Sequence, residues 1–315
     1  MGKIAFLFPG QGSQIVGMGK SLAEMDETVK SIFDKADDRL KFPLSALIFE
    51  GPQEELTLTT NAQPALLTTS IAILEYFKQS GIQPDYVAGH SLGEYTALVA
   101  AGAFSFEDGV YAVRKRGEFM EEAVPNGEGS MAAVLGLDRD NLAGVTSEIT
   151  NEGHPVQLAN LNCPGQIVIS GSKKGVEFAS VKAKEAGAKR VMPLVVSGPF
   201  HSELMKPAAE KFKGILNEIS VNDANIPVIA NVSATEMSSS AEIKSRLIEQ
   251  LYSPVLWEDS IQKMISLGVD TFIEIGPGKV LSGLVKKIDK KVRIYAVSDK
   301  ETCIEVIESL KEESQ

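Results

Sequence analysis

A serine centred in Gly89-His90-Ser91-Leu92-Gly93 is the most demanding feature of this chain. A nucleophile in Gly-x-Ser-x-Gly sits on a sharp turn between a strand and a helix, and the flanking glycines let the backbone segments pass closely. The surroundings match that demand. Tyr86 to Ala88 reads as a short strand, Glu94 to Ala101 as an Ala-rich helix, and Gly102 as its stop. Strand, elbow and helix in that order predict an α/β fold built on a mostly parallel sheet. Ser91 would open the helix, so backbone N–H groups and the positive end of the helix dipole point at any oxyanion formed there.

The same alternation of apolar runs and helical periodicity extends from Lys3 to about Ala123 and resumes after about Val196. Between these stretches the order changes. A strand at Met131 to Leu135 is followed by a helix at Arg139 to Thr150, strands at Val156 to Leu161 and Ile167 to Ser170, a helix at Val176 to Ala186, and a strand at Arg190 to Val195. That β-α-β-β-α-β order is the ferredoxin-like module. The expected organisation is therefore a hydrolase-like core from residues 1–124 and 197–315, with a small ferredoxin-like domain inserted at 125–196. The loop at 125–129 opens the insertion, and Asn162-Cys163-Pro164-Gly165 supplies a hairpin turn.

Composition removes several classes of function. A formal net charge of −11 disfavours nucleic acid as a main partner, because phosphate binding rests on a concentrated Lys/Arg surface. Two local basic clusters remain, Lys286, Lys287, Lys290, Lys291 with Arg293, and Lys182, Lys184, Lys189 with Arg190. Either is a solvated face or a patch that steers an acidic partner. No run reaches the ~18 apolar residues of a membrane helix, and the five apolar residues between Lys3 and Pro9 are too few for a signal-peptide core. A cytoplasmic protein is expected. Cys163 and Cys303 are far apart and lack metal-ligand spacing, so neither a disulfide framework nor a bound metal is expected.

A serine hydroxyl needs a base, and the chain has three histidines. His90 lies inside the elbow and points away from its neighbour, while His154 falls in a loop of the inserted segment. His201, in Ser197-Gly-Pro-Phe-His-Ser202, lies where the chain returns to the core and is the candidate base. The oxyanion hole would use the N–H of Leu92 and a second donor from the turn Gly10-Gln11-Gly12. That turn is not a dinucleotide loop, because Ile15 stands where the third glycine is required. Arg116 shares a helical arc with Ala112, Val113, Phe119 and Met120, so it faces inward. A buried guanidinium needs an anion, either a bound carboxylate or an internal Glu or Asp.

Phe8-Pro-Gly-Gln-Gly-Ser13, Asn61-Ala-Gln-Pro64, Gly89-His-Ser-Leu-Gly-Glu94, Arg116, Gly198-Pro-Phe-His201, Gln250 with Ser253-Pro254-Val255, and Glu274-Ile-Gly-Pro-Gly278 occur in one order along nearly the whole chain. In this the sequence resembles the malonyl-CoA:acyl carrier protein transacylases of type II fatty acid synthesis and the related acyltransferase domains of polyketide synthases. The resemblance implies acylation of Ser91, His201 as base, and an oxyanion hole from the N–H groups of Gln11 and Leu92. It further implies that a main-chain carbonyl at Gln250 orients His201 and that Arg116 binds the malonyl carboxylate. Gln63 is implied to line the pocket, and Phe200 to be the malonyl-type residue beside the histidine. Malonyl-CoA and holo acyl carrier protein are the implied partners, with no cofactor and a monomeric chain. A serine hydrolase would share the elbow and use water as acceptor, and a carrier-docking module would have no use for Ser91 and His201 together.

Overall fold

The computed structural model describes residues 2–125 and 127–312, so Asn126 of the expected opening loop, Met1 and 313–315 lie outside it. Ten strands form among the described residues: β1 (Lys3–Phe8), β2 (Tyr86–Gly89), β3 (Gly129–Leu135), β4 (Val156–Cys163), β5 (Gln166–Ser172), β6 (Arg190–Pro193), β7 (Val228–Ile229), β8 (Glu236–Met237), β9 (Val269–Ile275) and β10 (Arg293–Val297). Six make one sheet in the order β10-β9-β1-β2-β7-β8, and four make a second in the order β4-β5-β3-β6. In the first, every pair is parallel except β7 with β8.

Period-two alternation divides the residues of β1 between two cores. Phe6 and Phe8 join Val87, Ile273 and the helices Thr59–Phe77 and Leu92–Ala100 on one face of the sheet. Ala5 and Leu7 join Trp257, Ile261, Leu284 and Val285 on the other. Covered on both faces, β1 and β2 can be almost wholly apolar, which is why they read as continuous runs. The Thr59–Phe77 helix is buried nearly all round and carries Pro64 in its second turn. Pro64 has no N–H for the carbonyl of Thr60, and Arg114 Nη1 donates to that carbonyl instead, at 3.0 Å.

The second sheet is antiparallel throughout. Its helices, Arg139–Asn151 and Lys173–Glu185, cover one face through Leu142, Val145, Ile149, Val176 and Ala179. The opposite face sends Met131, Ala133 and Val168 into the main core. Element order and strand order together are those of a ferredoxin-like unit, so the fold class is the expected one. The small sheet is tied to the main half where Leu161 N–H donates to Val255 O and Val255 N–H donates to Ala159 O, Val255 lying just before the Trp257–Ser266 helix. The strand expected to reach Val195 stops at Pro193, after which Val195 stands fully exposed. The Ser240–Gln250 helix stops at Gln250, which leaves the Gln250 carbonyl without an intrahelical donor.

Candidate active site

The elbow is a strained backbone held by its neighbours. Ser91 has φ 52° and ψ −108°, a conformation that costs on the order of 1–3 kcal/mol for a residue with a Cβ. Asn231, in the loop after β7, clamps it: Asn231 Oδ1 accepts from the Ser91 N–H and Asn231 Nδ2 donates to the Gly89 carbonyl, each at 2.8 Å. The glycines are steric necessities. A Cβ on Gly89 would lie 1.9 Å from the Gly93 carbonyl group, and one on Gly93 would lie 2.1 Å from Phe8 O. The loop after β1 is pressed equally hard against the turn, since a Cβ on Gly10 would lie 2.4 Å from His90 O. This close approach brings Gln11 and Leu92 to one cleft. Among the described residues, no atom accepts a hydrogen bond from either backbone N–H, so both donors are available to an oxyanion.

His201 is the histidine that reaches Ser91, with Nε2 2.7 Å from Oγ. Its Nδ1 lies 2.8 Å from the Gln250 carbonyl oxygen. A carbonyl only accepts, so Nδ1 carries the proton and Nε2 is left to accept from the serine hydroxyl. Burial and the neighbouring Arg116 charge push the His201 pKa down to about 3, against the opposing pull of the Gln250 carbonyl. The imidazole is therefore neutral and in the tautomer a base requires. Its backbone sits at φ 57°, and Gln157 of β4 donates to the His201 carbonyl at 3.2 Å. The other histidines are engaged elsewhere. His90 Nε2 pairs with Asn162 Oδ1 at 2.8 Å and its ring packs on Trp257, while His154 packs on Phe178.

Arg116 is 1 % exposed and has no carboxylate within ion-pair distance among the described residues. Its partners are neutral: Nη1 donates to Gln63 Oε1 at 2.8 Å, and Nη2 donates to Gln250 Oε1 at 2.9 Å and to Ser91 Oγ at 3.2 Å. The Nε–H has no partner among the described residues. A desolvated cation beside a nucleophile, surrounded by amide oxygens, is a site for an anion. Gln63 stands behind the guanidinium, outside the lining of the cleft, so it holds Arg116 and does not form the expected pocket wall. The cleft measures about 550 Å³ and is lined by Ser91, Arg116, Phe200 and His201 from the main half and by Met131 and Asn160 from the small sheet.

Three contributors escape a reading of the sequence. Asn231 lies 140 positions from the serine it clamps. Gln250 was expected to act through its carbonyl, yet its side-chain amide also bridges the site: Oε1 accepts from Arg116, and Nε2 donates to Ser91 O and to Glu94 Oε2. Glu94, buried in the first turn of the elbow helix, belongs to the sequence motif. Only for Glu94 was a signal available, as a carboxylate in an otherwise apolar helix segment.

Residues 5–312 match the family model described as the acyl transferase domain. The chain is 68 % identical over 314 residues to the malonyl CoA-acyl carrier protein transacylase of Bacillus subtilis (strain 168), covering 100 % of this chain and 99 % of that one. The crystal structure of an acyl carrier protein S-malonyltransferase from Vibrio cholerae superposes with a TM-score of 0.94 at 46 % identity, over 96 % of this chain and 99 % of that one. A malonyl-transacylase solved in complex with its type II PKS acyl-carrier protein also gives 0.94, at 42 % identity and over 98 % and 99 % of the two chains.

Proposed function

Since the chain belongs to the acyl transferase domain family, we propose that Ser91 carries a malonyl group between two thiols. The chain is an acyltransferase that moves malonyl from malonyl-CoA to the phosphopantetheine thiol of an acyl carrier protein, for chain elongation. His201 Nε2 takes the hydroxyl proton as Ser91 Oγ bonds to the thioester carbon, and the Gln11 and Leu92 N–H groups receive the oxyanion. When the C–S bond breaks, His201 returns the proton to sulfur, so coenzyme A leaves as a thiol and malonyl stays on Ser91. The carrier thiol repeats the steps in reverse. Every proton is accounted for by His201, and no resident metal or redox group enters the scheme.

The observation that carries this reading is the Arg116 guanidinium, bonded to no carboxylate among the described residues and 3.2 Å from Ser91 Oγ. A carboxylate there would sit one short acyl chain away from the nucleophile. The carbonyl partner of His201 suits the same substrate, because an aspartate in its place would set a second negative charge beside the malonyl carboxylate. Phe200, beside the base, narrows the space next to the acyl carbon. Gln63 and the Gln250 amide fix the guanidinium plane. The proposal includes the division into a core of 1–124 and 197–315 and a small domain of 125–196, with the cleft between them, and a monomer working in the cytoplasm. Two buried free thiols, Cys163 and Cys303, support a reducing compartment. Intact-mass spectrometry after mixing with malonyl-CoA is expected to find one malonyl group on Ser91, discharged by holo carrier protein. Release to water faster than to the carrier thiol would favour a hydrolase instead.

A further inference from the structure

Arg116 and Glu94 are a buried cation and a buried acid, each 1 % exposed, which share no hydrogen bond. They are joined by one side chain. Gln250 Oε1 accepts from Arg116 Nη2 at 2.9 Å while its Nε2 donates to Glu94 Oε2 at 2.6 Å. Glu94 Oε2 accepts further from the Asn231 N–H, and Glu94 Oε1 is buried without a partner among the described residues. With the cleft empty, an ionised Glu94 makes the buried charge sum to zero. With a malonyl carboxylate on Arg116, the same ionised Glu94 would leave the site with one excess buried negative charge, which is costly in a dry interior.

We propose that Glu94 is a specificity-setting residue whose uptake of a proton is linked to binding of the acyl carboxylate at Arg116. The proposal rests on Arg116 as the carboxylate site. Its chemistry is a simple exchange: the empty site holds Arg116 with a partly ionised Glu94, and the loaded site holds Arg116 with the malonyl carboxylate and a neutral Glu94 carboxyl, the proton coming from solvent. A neutral carboxyl carries its proton on one oxygen, and Oε1, which accepts no hydrogen bond from the described residues, is free to take it.

The groups acting on Glu94 are few. Arg116, on the Phe106–Glu122 helix, and Arg246, on the Ser240–Gln250 helix, favour its charge, and Arg246 is already matched by Glu242 and Glu249 at the surface. Tyr95, next to it, stays protonated because burial raises its pKa, and His201 is neutral throughout the working range. Burial pushes Glu94 up to about 8, ahead of the lowering effects of Gln250, Asn231 and Arg116. An acid whose pKa rises further on binding weakens that binding as pH climbs through its free-state value, by up to about tenfold per pH unit. Acetyl groups carry no carboxylate and should show none of this, so the preference for malonyl is full at lower pH and falls as pH climbs.

The test is calorimetric titration of the Ser91→Ala protein with malonyl-CoA at about pH 8.5, in two buffers of different ionisation enthalpy, which counts protons. Malonyl-CoA should take up a large fraction of one proton and acetyl-CoA none. In the Ser91→Ala, Glu94→Gln protein malonyl-CoA should take up none, and in the single Glu94→Gln enzyme KM should lose its rise above about pH 8. Should Glu94→Gln fail to fold, the malonyl against acetyl contrast on the unaltered Glu94 still decides. Binding of malonyl-CoA with no proton uptake, or equal uptake with and without Glu94, overturns the proposal and leaves the malonyl assignment standing. Absence of any malonyl-CoA binding overturns both.

Discussion

The two sheets serve one cleft by different means. At the carboxyl ends of β1, β2 and β7 the parallel sheet supplies backbone: the Gln11 and Leu92 N–H groups, the strained Ser91, and the Asn231 loop that clamps it. Ligand sites gather at that edge in open α/β sheets because the loops there converge. The antiparallel sheet supplies side chains, Met131 and Asn160, as a wall across the opening. Backbone positions packed within 2.1 Å of where a Cβ would stand tolerate almost no change, whereas wall residues can be altered without moving the nucleophile. Rate should therefore be set in the first region, and changes in the second should touch substrate affinity alone.

The largest effects test whether the parallel-sheet edge and His201 hold all the chemistry. Ser91→Ala or His201→Ala should lower kcat by ~10⁴-fold or more, read by transfer to holo carrier protein, with the acyl adduct lost in Ser91→Ala. Arg116→Ala should cost malonyl transfer ~10²- to 10³-fold in kcat/KM, since charge-assisted hydrogen bonds are lost. Competition between malonyl-CoA and acetyl-CoA should then show relaxed selectivity, and unchanged discrimination would sink the role given to Arg116. Asn231→Ala removes two hydrogen bonds from the elbow. A fall of ~10- to 100-fold in kcat with little change in KM is expected from about 1–3 kcal/mol of lost positioning.

Across the cleft, Met131→Ala and Asn160→Ala should change KM by only ~2- to 5-fold and leave kcat near the parent value, as the loss of single wall contacts would. A kcat fall equal to that of Asn231→Ala would break the comparison between the sheets. The smallest effect concerns pH. The His201 pKa is depressed, so the folded protein resists protonation that the unfolded chain accepts near 6.5. The resulting stability is complete above about 6.5 and is lost as pH falls toward about 3, so thermal melting should decline over that window while kcat/KM at about pH 5.5 stays within ~2-fold of its neutral value. An acid limb in kcat/KM near 6.5 would show that His201 is far better solvated than its burial indicates.

Local pattern sufficed for Ser91, because an elbow is a short stretch of strand, turn and helix whose glycines are legible one by one. It sufficed for the order of elements in both sheets, for singling out His201 as the histidine that reaches Ser91, and for turning Arg116 inward. The missing carboxylate partner of Arg116 was beyond its reach, as were the clamp of Asn231 on Ser91 and the three-way grip of the Gln250 amide. Each depends on a distance between residues tens to well over a hundred positions apart, and no local propensity encodes such a distance. Whether a buried charge is paired or left waiting for a ligand is a property of the assembled interior. Sequence determined which groups this protein has and on what elements they ride, and tertiary packing alone decided which of them meet and which stay open.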